Sequence, residues 1–73
     1  MKITLRRLRE AKGWSLKKAS IAFNMDIKTI KAYENYKKVP EPADIIKMLK
    51  VMGFYFDEIY FIIYSDISLK YKG

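Results

Sequence analysis

Two short amphipathic segments, separated by only three residues, constrain the fold of this 73-residue chain more than any other feature. Ser15 is predicted to cap a helix over residues 16–23, because its hydroxyl can accept a hydrogen bond from the first helical turn. Asn24 is predicted to end that helix, since asparagine is the non-glycine residue that best tolerates a left-handed backbone. Asp26 is then predicted to cap a second helix over residues 27–35.

The residues around the turn fit two helices that cross closely at a steep angle. Ser20 is small enough to lie at the crossing point, and Met25 supplies an apolar residue that seals the corner. Ile30 and Tyr33 share the inner face of the second helix at a spacing of three residues. These are the requirements of a helix-turn-helix unit. The arrangement leaves the polar, basic outer face of the second helix available to enter a DNA major groove.

The flanking segments predict further helices and a mainly α fold. Thr4 can cap a first helix over residues 5–11, which ends at Gly13. A fourth helix begins at Pro42, carries an apolar stripe and ends at Gly53. The stripe consists of Ile45, Met48, Leu49 and Met52. A short fifth helix can open at Asp57, so we expect a compact five-helix domain.

The tail allows two interpretations. Residues 60–64 are β-branched and aromatic, Ser65 and Asp66 are typical of a turn, and apolar residues then alternate with polar ones to Tyr71. This pattern predicts a hairpin over residues 60–71. The competing interpretation is a helix that continues through residues 57–64.

The charge is distributed unevenly along the chain. Residues 1–40 contain eleven Lys and Arg and three acidic residues, a net charge of +8, whereas residues 41–73 have a net charge of −1. A basic half beside a neutral half is typical of a polyanion-binding face backed by a packing face. The alternative is a lysine-rich surface with no partner.

The composition also excludes several classes of site. The chain has no cysteine and no histidine, which excludes disulfides and thiolate metal sites and leaves few catalytic groups. Asp57 and Glu58 are adjacent and face different directions, so they form a poor catalytic pair. We therefore expect no enzyme activity, no cofactor, no metal and no small-molecule ligand. No apolar run approaches the ~20 residues of a membrane span, and the first residues lack a signal-peptide core, so a cytoplasmic protein is expected.

Four stretches together resemble the Cro/C1-type helix-turn-helix family, also called lambda-repressor-like or XRE. The similarity runs without gaps from about residue 5 to residue 60 and is strongest over residues 5–15, 25–35, 37–40 and 49–59. The resemblance implies a bacterial or phage-encoded regulator, of repressor or Cro type, that binds double-stranded DNA sequence-specifically. Residues 1–60 would form the DNA-binding domain and residues 61–73 a C-terminal extension.

The resemblance also implies roles for individual residues. Arg9 and Glu34 match an ion pair that joins the first and third helices. The positions that match base contacts on the outer face of the recognition helix, together with their neighbour Thr29, are Ile27, Lys28, Thr29, Lys31 and Ala32. The positions expected to contact phosphate, on either side of that helix, are Lys17, Lys18, Asn35, Lys37 and Lys38. Lysine can donate to guanine O6 and N7, and Ile27 or Ala32 can contact a thymine methyl group.

The chain departs from the family pattern at several positions. Leu16 stands where the family usually has a glutamine that touches phosphate, and leucine cannot make that contact. Asn24 and Tyr36 stand where the family usually has glycine, so the chain is expected to leave the third helix at Tyr36 by a different backbone path. Ala19 and Ser20 replace the usual Leu-Ala pair, which thins the core of the second helix.

One such domain buries too little surface for tight specific binding, so a homodimer that reads two half-sites ~34 Å apart is expected. The apolar tail is the predicted dimer surface, through strand pairing at an exposed edge. Its predicted contacts are Tyr60, Ile62, Tyr64, Ile67 and Leu69. Three of these, Tyr60, Ile62 and Tyr64, can instead complete the monomer core.

The rival function is a protein-interaction module, such as a phage-like antirepressor or effector-binding protein, that uses the aromatic C-terminal half. RNA binding is a third option, but the aromatic residues lie away from the lysines.

Overall fold

The computed structural model of the protein describes residues 3–70, which contain five α-helices and no strand. The mainly α, five-helix fold expected from the sequence is confirmed. Among the described residues, no helix combines the length and the apolar character that crossing a bilayer requires. The helices are α1 (Leu5–Ala11), α2 (Leu16–Phe23), α3 (Ile27–Glu34), α4 (Pro42–Met52) and α5 (Asp57–Lys70).

All three expected N-cap residues precede their helices, and two of them make the expected side-chain hydrogen bond. The Thr4 hydroxyl accepts from the backbone N–H of Arg7, and the Ser15 hydroxyl accepts from that of Lys18, both at 3.1 Å. Asp26 occupies the N-cap position of α3 with an extended backbone, but its side chain makes no capping hydrogen bond. Asp26 is therefore the N-cap residue of α3, as predicted, although it contributes no side-chain hydrogen bond there. Because α3 begins without a side-chain cap, its stability depends on packing of its inner face.

Four helices end on a residue with a left-handed backbone. These residues are Gly13, Asn24, Tyr36 and Gly53, with φ between 56° and 79°. Asn24 takes this conformation as the sequence predicts. Tyr36 does so as well, although it is bulky, so the chain leaves α3 by the same route that a glycine would take.

The core is formed where the five helices face one another, and α1 contributes Leu5 and Leu8 to it. The predicted apolar stripe of α4 is confirmed, since none of its four residues is more than 1% exposed. Ala19 and Phe23 of α2 are fully buried, so Phe23 supplies the volume that the small Ala19 does not. Ile30 and Tyr33 are buried at 0% and 4% exposure, as their spacing predicts.

The tail is helical, and the hairpin predicted over residues 60–71 is wrong for the residues described. α5 runs continuously to Lys70, so the competing helix extends six residues beyond residue 64; Tyr71 lies outside the described residues. Ile63 and Ile67 are 1% and 5% exposed and lie one helical turn apart against the core. Burial at a spacing of four residues therefore outweighs the β propensity of residues 60–64. The expected domain boundary at residue 60 falls inside this helix.

A buried ion pair holds α3 against α1. Arg9 donates from Nε to Glu34 Oε2 at 2.7 Å and from Nη2 to Oε1 at 3.0 Å, and its Nη1 donates to the Trp14 carbonyl at 2.7 Å. The two side chains are only 10% and 5% exposed. The hydrogen bond with Glu34 raises the pKa of Arg9, because it stabilises the charged guanidinium.

A second contact holds α3 against α4. The Tyr33 hydroxyl donates to Asp44 Oδ2 at 2.6 Å. Burial, followed by this hydrogen bond, raises the pKa of Tyr33 to about 12. The inner face of α3 is thus fixed by polar contacts at its C-terminal half as well as by apolar packing.

We expect Arg9→Ala to destabilise the fold by about 3–5 kcal/mol, because it leaves the buried Glu34 carboxylate without its partner. Arg6 and Glu10 provide an internal comparison, since they pair at 3.2 Å with both side chains more than half exposed. Arg6→Ala should cost only about 0.3–0.5 kcal/mol. Urea unfolding followed by circular dichroism measures both, and equal losses for the two variants would contradict the role given to Arg9.

The raised pKa of Tyr33 predicts a loss of stability at high pH. The folded state favours the protonated phenol, so this contribution is complete below pH ~10 and disappears as the pH rises towards 12. Wild type should exceed Tyr33→Phe in stability by about 1 kcal/mol at pH 9, and that advantage should decrease steadily as the pH rises from 10 towards 12. The exposed Tyr55 supplies the control for the substitution itself, since Tyr55→Phe removes a hydroxyl from a side chain that is 44% exposed and should change stability by less than about 0.5 kcal/mol. A Tyr33→Phe difference that is constant with pH would contradict the assignment.

Candidate nucleic-acid interface

The turn between α2 and α3 is fixed by Ser20. Its hydroxyl donates to the Met25 carbonyl, and its own carbonyl accepts from the Met25 backbone N–H at 3.1 Å. Met25 is half-buried and packs against the core, as expected for the residue that seals the corner. The sequence indicated only that Ser20 is small; its hydrogen bond is an additional restraint on the angle between the two helices.

The outer face of α3 presents most of the predicted base-contacting residues together. Ile27, Lys28 and Lys31 are exposed, and Ala32 is half-buried beside them. A spacing of three or four residues places these four on one side of the helix. Thr29 is half-buried and lies at the edge of this face, next to the side that carries Tyr33.

The predicted phosphate contacts lie on both sides of α3 in the chain. Lys17 and Lys18 are exposed in the first turn of α2, and the Lys18 ammonium lies 5.6 Å from the centroid of the Trp14 ring. Lys37 and Lys38 are exposed in the turn that follows Tyr36. Asn35 is exposed and lies immediately after the last residue of α3.

Leu16 packs where a polar side chain was expected from the family pattern. It is half-buried and contacts the core cluster. Its contribution is therefore apolar packing of the α2 N-terminus, and the bracing of α3 depends on Arg9, Glu34, Tyr33 and Asp44 instead.

The predicted dimer residues divide into two groups. Ile62, Tyr64 and Leu69 are 41%, 48% and 70% exposed, whereas Ile67 is only 5% exposed. The expectation that Ile67 lies at an interface is corrected, because its side chain belongs to the monomer core. Tyr60 is half-buried, and its ring stacks on Tyr64 with 6.0 Å between the centroids.

The exposed residues of α5 border an apolar groove. Phe61, which the sequence did not single out, is 68% exposed. An open groove of about 650 Å³ lies between the C-terminal half of α5 and the loop that precedes α4. Its apolar lining comes from Val39, Pro40, Ile45, Tyr64, Ile67 and Leu69.

Sequence reasoning missed the link between Tyr36 and Asp66. The Tyr36 hydroxyl donates to Asp66 Oδ2, although the residues are thirty positions apart. Asp66 is only 8% exposed. One signal was available, since Asp66 lies beside Ile63 and Ile67 on a helical projection, where a carboxylate requires a partner.

Within residues 3–70, acidic side chains form no cluster of three that suits a metal ion.

The comparisons with known proteins agree with this geometry. A family model described as helix-turn-helix matches residues 5–59, well over half of the chain. No curated protein and no solved structure gives a match. The chain therefore belongs to the Cro/C1-type helix-turn-helix family of DNA-binding regulators of transcription.

Proposed function

We propose that this protein is a sequence-specific regulator of transcription, of repressor or Cro type, that inserts α3 into the major groove of double-stranded DNA. The observation that carries the proposal is the exposed basic face of α3 on a helix whose inner face is anchored twice. Arg9 holds the C-terminal end of α3 to α1 through Glu34, and Asp44 holds α3 to α4 through Tyr33. A reading helix needs such support, because base recognition requires side chains at defined positions.

The exposed face of α3 has the chemistry to distinguish bases. Lys28 and Lys31 can donate to the O6 and N7 acceptors of guanine, and each good base contact discriminates by about 1–3 kcal/mol. Ile27 and Ala32 provide apolar surface for a thymine methyl group. Thr29, at the edge of the face, is placed for a phosphate or a base at the rim of the groove.

The flanking residues supply affinity and little sequence information. Lys17, Lys18, Lys37 and Lys38 are four exposed cations on either side of the reading helix, and Asn35 adds a neutral donor. Phosphate contacts of this kind release counterions, so with about 6–10 of them the affinity falls about 10³–10⁵-fold between 50 and 200 mM salt.

We also propose that the protein binds as a homodimer through the exposed face of α5. Three large apolar side chains on this helix, Phe61, Tyr64 and Leu69, are 68%, 48% and 70% exposed. A small soluble domain seldom leaves such a group uncovered unless it is an interaction surface. A two-fold dimer would present two copies of α3 to half-sites about 34 Å apart.

The same surface supports the second candidate function. An apolar groove of about 650 Å³ beside exposed aromatic residues also fits a protein-interaction module that docks another regulator. The two candidates differ in self-association, since a docking module has no need of a second copy of itself. The oligomeric state of the free protein therefore separates them.

Removing the two outer lysines of α3 should abolish sequence preference. We expect Lys28→Ala with Lys31→Ala to lower the affinity for the selected site towards the affinity for random duplex. Selection of bound sites from random duplexes supplies the target, and titration at fixed salt measures both affinities. The matched control is Lys47→Ala with Lys50→Ala, two exposed lysines on α4, which should keep the preference intact. An unchanged ratio of specific to non-specific affinity in the α3 variant would refute base reading by this helix.

The dimer proposal predicts a mass near twice the 8.7 kDa of the chain in sedimentation at micromolar concentration. A charge on the exposed face, in Leu69→Glu or Ile62→Glu, should shift the protein to monomer and weaken binding to a two-half-site duplex. Ile67 is unsuitable for this test, because a charge at a core position would unfold the domain.

Ile21 on α2 provides the matched control, since it is 74% exposed and lies on a different helix. Ile21→Glu should leave the dimer intact. A wild-type protein that stays monomeric at high micromolar concentration would rule out the homodimer and favour the docking module.

A further inference from the structure

The chain leaves α3 through a turn built around Tyr36. The backbone N–H of Tyr36 donates to the Tyr33 carbonyl at 3.3 Å, and that of Lys37 donates to the Ala32 carbonyl at 2.8 Å. These two bonds form a Schellman motif, with Tyr36 in the left-handed position at φ 58°. A bulky residue is uncommon there, because its Cβ crowds the neighbouring carbonyl oxygen.

The side chain of Tyr36 connects this turn to α5. Its hydroxyl donates to Asp66 Oδ2, and the Lys70 ammonium lies 5.3 Å from the centroid of its ring. Both partners are on α5, one helical turn apart. The ring itself is half-buried and packs against the core. A glycine would relax the backbone at this position, but it would remove all three contacts.

The contact between Tyr36 and α5 affects the two lysines that follow Tyr36 in the chain. Lys37 and Lys38 are the next two residues, both are exposed, and their backbone N–H groups both donate to the Ala32 carbonyl. Their direction of exit from α3 is therefore set by the conformation of Tyr36. The buried Asp66 carboxylate fixes that conformation from α5, because it requires its hydrogen-bond donor to stay in place.

We propose that Tyr36 is a positioning residue for the phosphate contacts of Lys37 and Lys38, held in place by Asp66. The inference rests on the proposed function, since it concerns the same DNA interface. It assigns no direct DNA contact to Tyr36. It makes α5 a support for the basic turn, so the helix that carries the proposed dimer surface also orients two of the proposed phosphate-binding lysines.

The salt dependence of duplex binding tests this proposal, because its slope counts phosphate contacts. Losing both lysine contacts should lower the slope of log K against log salt by about 1.8 per bound chain, at about 0.9 per contact, and so by about 3.6 for a homodimer. We expect Tyr36→Phe, which keeps the ring and loses the hydroxyl, to produce a substantial part of that decrease. Lys37→Ala with Lys38→Ala should produce all of it. Tyr36→Phe added to that double variant should lower the slope no further, since the contacts it positions are already absent.

Ile45→Val is the control for general destabilisation. Ile45 is 1% exposed on α4 and makes none of the contacts assigned to the DNA interface, and its shortening should cost about 0.5–1.5 kcal/mol. It should reduce stability and leave the slope unchanged. Asp66→Asn retains an oxygen that accepts from Tyr36 and should keep a slope near that of wild type, whereas Asp66→Ala should match Tyr36→Phe. All slopes are measured well below the melting temperature of the least stable variant.

A wild-type slope in Tyr36→Phe or in Asp66→Ala would overturn the proposal. An equal decrease in Ile45→Val would also overturn it, because the effect would then follow general destabilisation. Failure of the proposed function has a different signature: wild type would bind duplex DNA weakly and without a steep slope. If wild type has a steep slope and both Tyr36→Phe and Asp66→Ala share it, DNA binding stands and only the role of Tyr36 fails.

Discussion

The buried ion pair between Arg9 and Glu34 is the interaction on which the candidate DNA interface depends. α3 has eight residues and no side-chain cap, so it is not stable in isolation. Arg9 binds both oxygens of Glu34 and the carbonyl of Trp14, which ties α1, α3 and the connection to α2 through one planar group. Two parallel hydrogen bonds fix orientation as well as distance. The outer face of α3 therefore has a defined orientation, although Ile27, Lys28 and Lys31 on it are exposed.

The remaining anchors hold the start, the inner face and the end of α3. Ser20 holds the turn before α3, and Tyr33 attaches the inner face of α3 to α4 through Asp44. Tyr36 attaches the turn after α3 to α5 through Asp66. Each anchor is a polar contact at the border of an apolar core. The core supplies stability in proportion to buried area. The polar contacts fix the orientation of α3, which a DNA-recognition surface requires.

Much of the fold was predictable because its signals are local. Thr4, Ser15, Gly13 and Gly53 mark helix ends through the backbone conformations that they favour, and the stripe of α4 marks its buried face. The tail was not predictable in this way, since residues 60–64 have high β propensity while Ile63 and Ile67 have helical spacing. Asp26 shows a similar limit of prediction from sequence. It occupies the N-cap position of α3, but its side chain makes no hydrogen bond to the helix, and residue type alone does not determine that orientation.

The sequence alone determined the helix-turn-helix unit, the basic face of α3 and the family, because these depend on residue type and on the spacing of residues along the chain. Only the tertiary structure decided that the tail is a helix, that Ile67 belongs to the core and that Tyr36 meets Asp66. The physical reason is that these outcomes depend on burial against elements far away in the chain. A short segment with two acceptable conformations adopts the one that buries its apolar side chains and satisfies its polar ones.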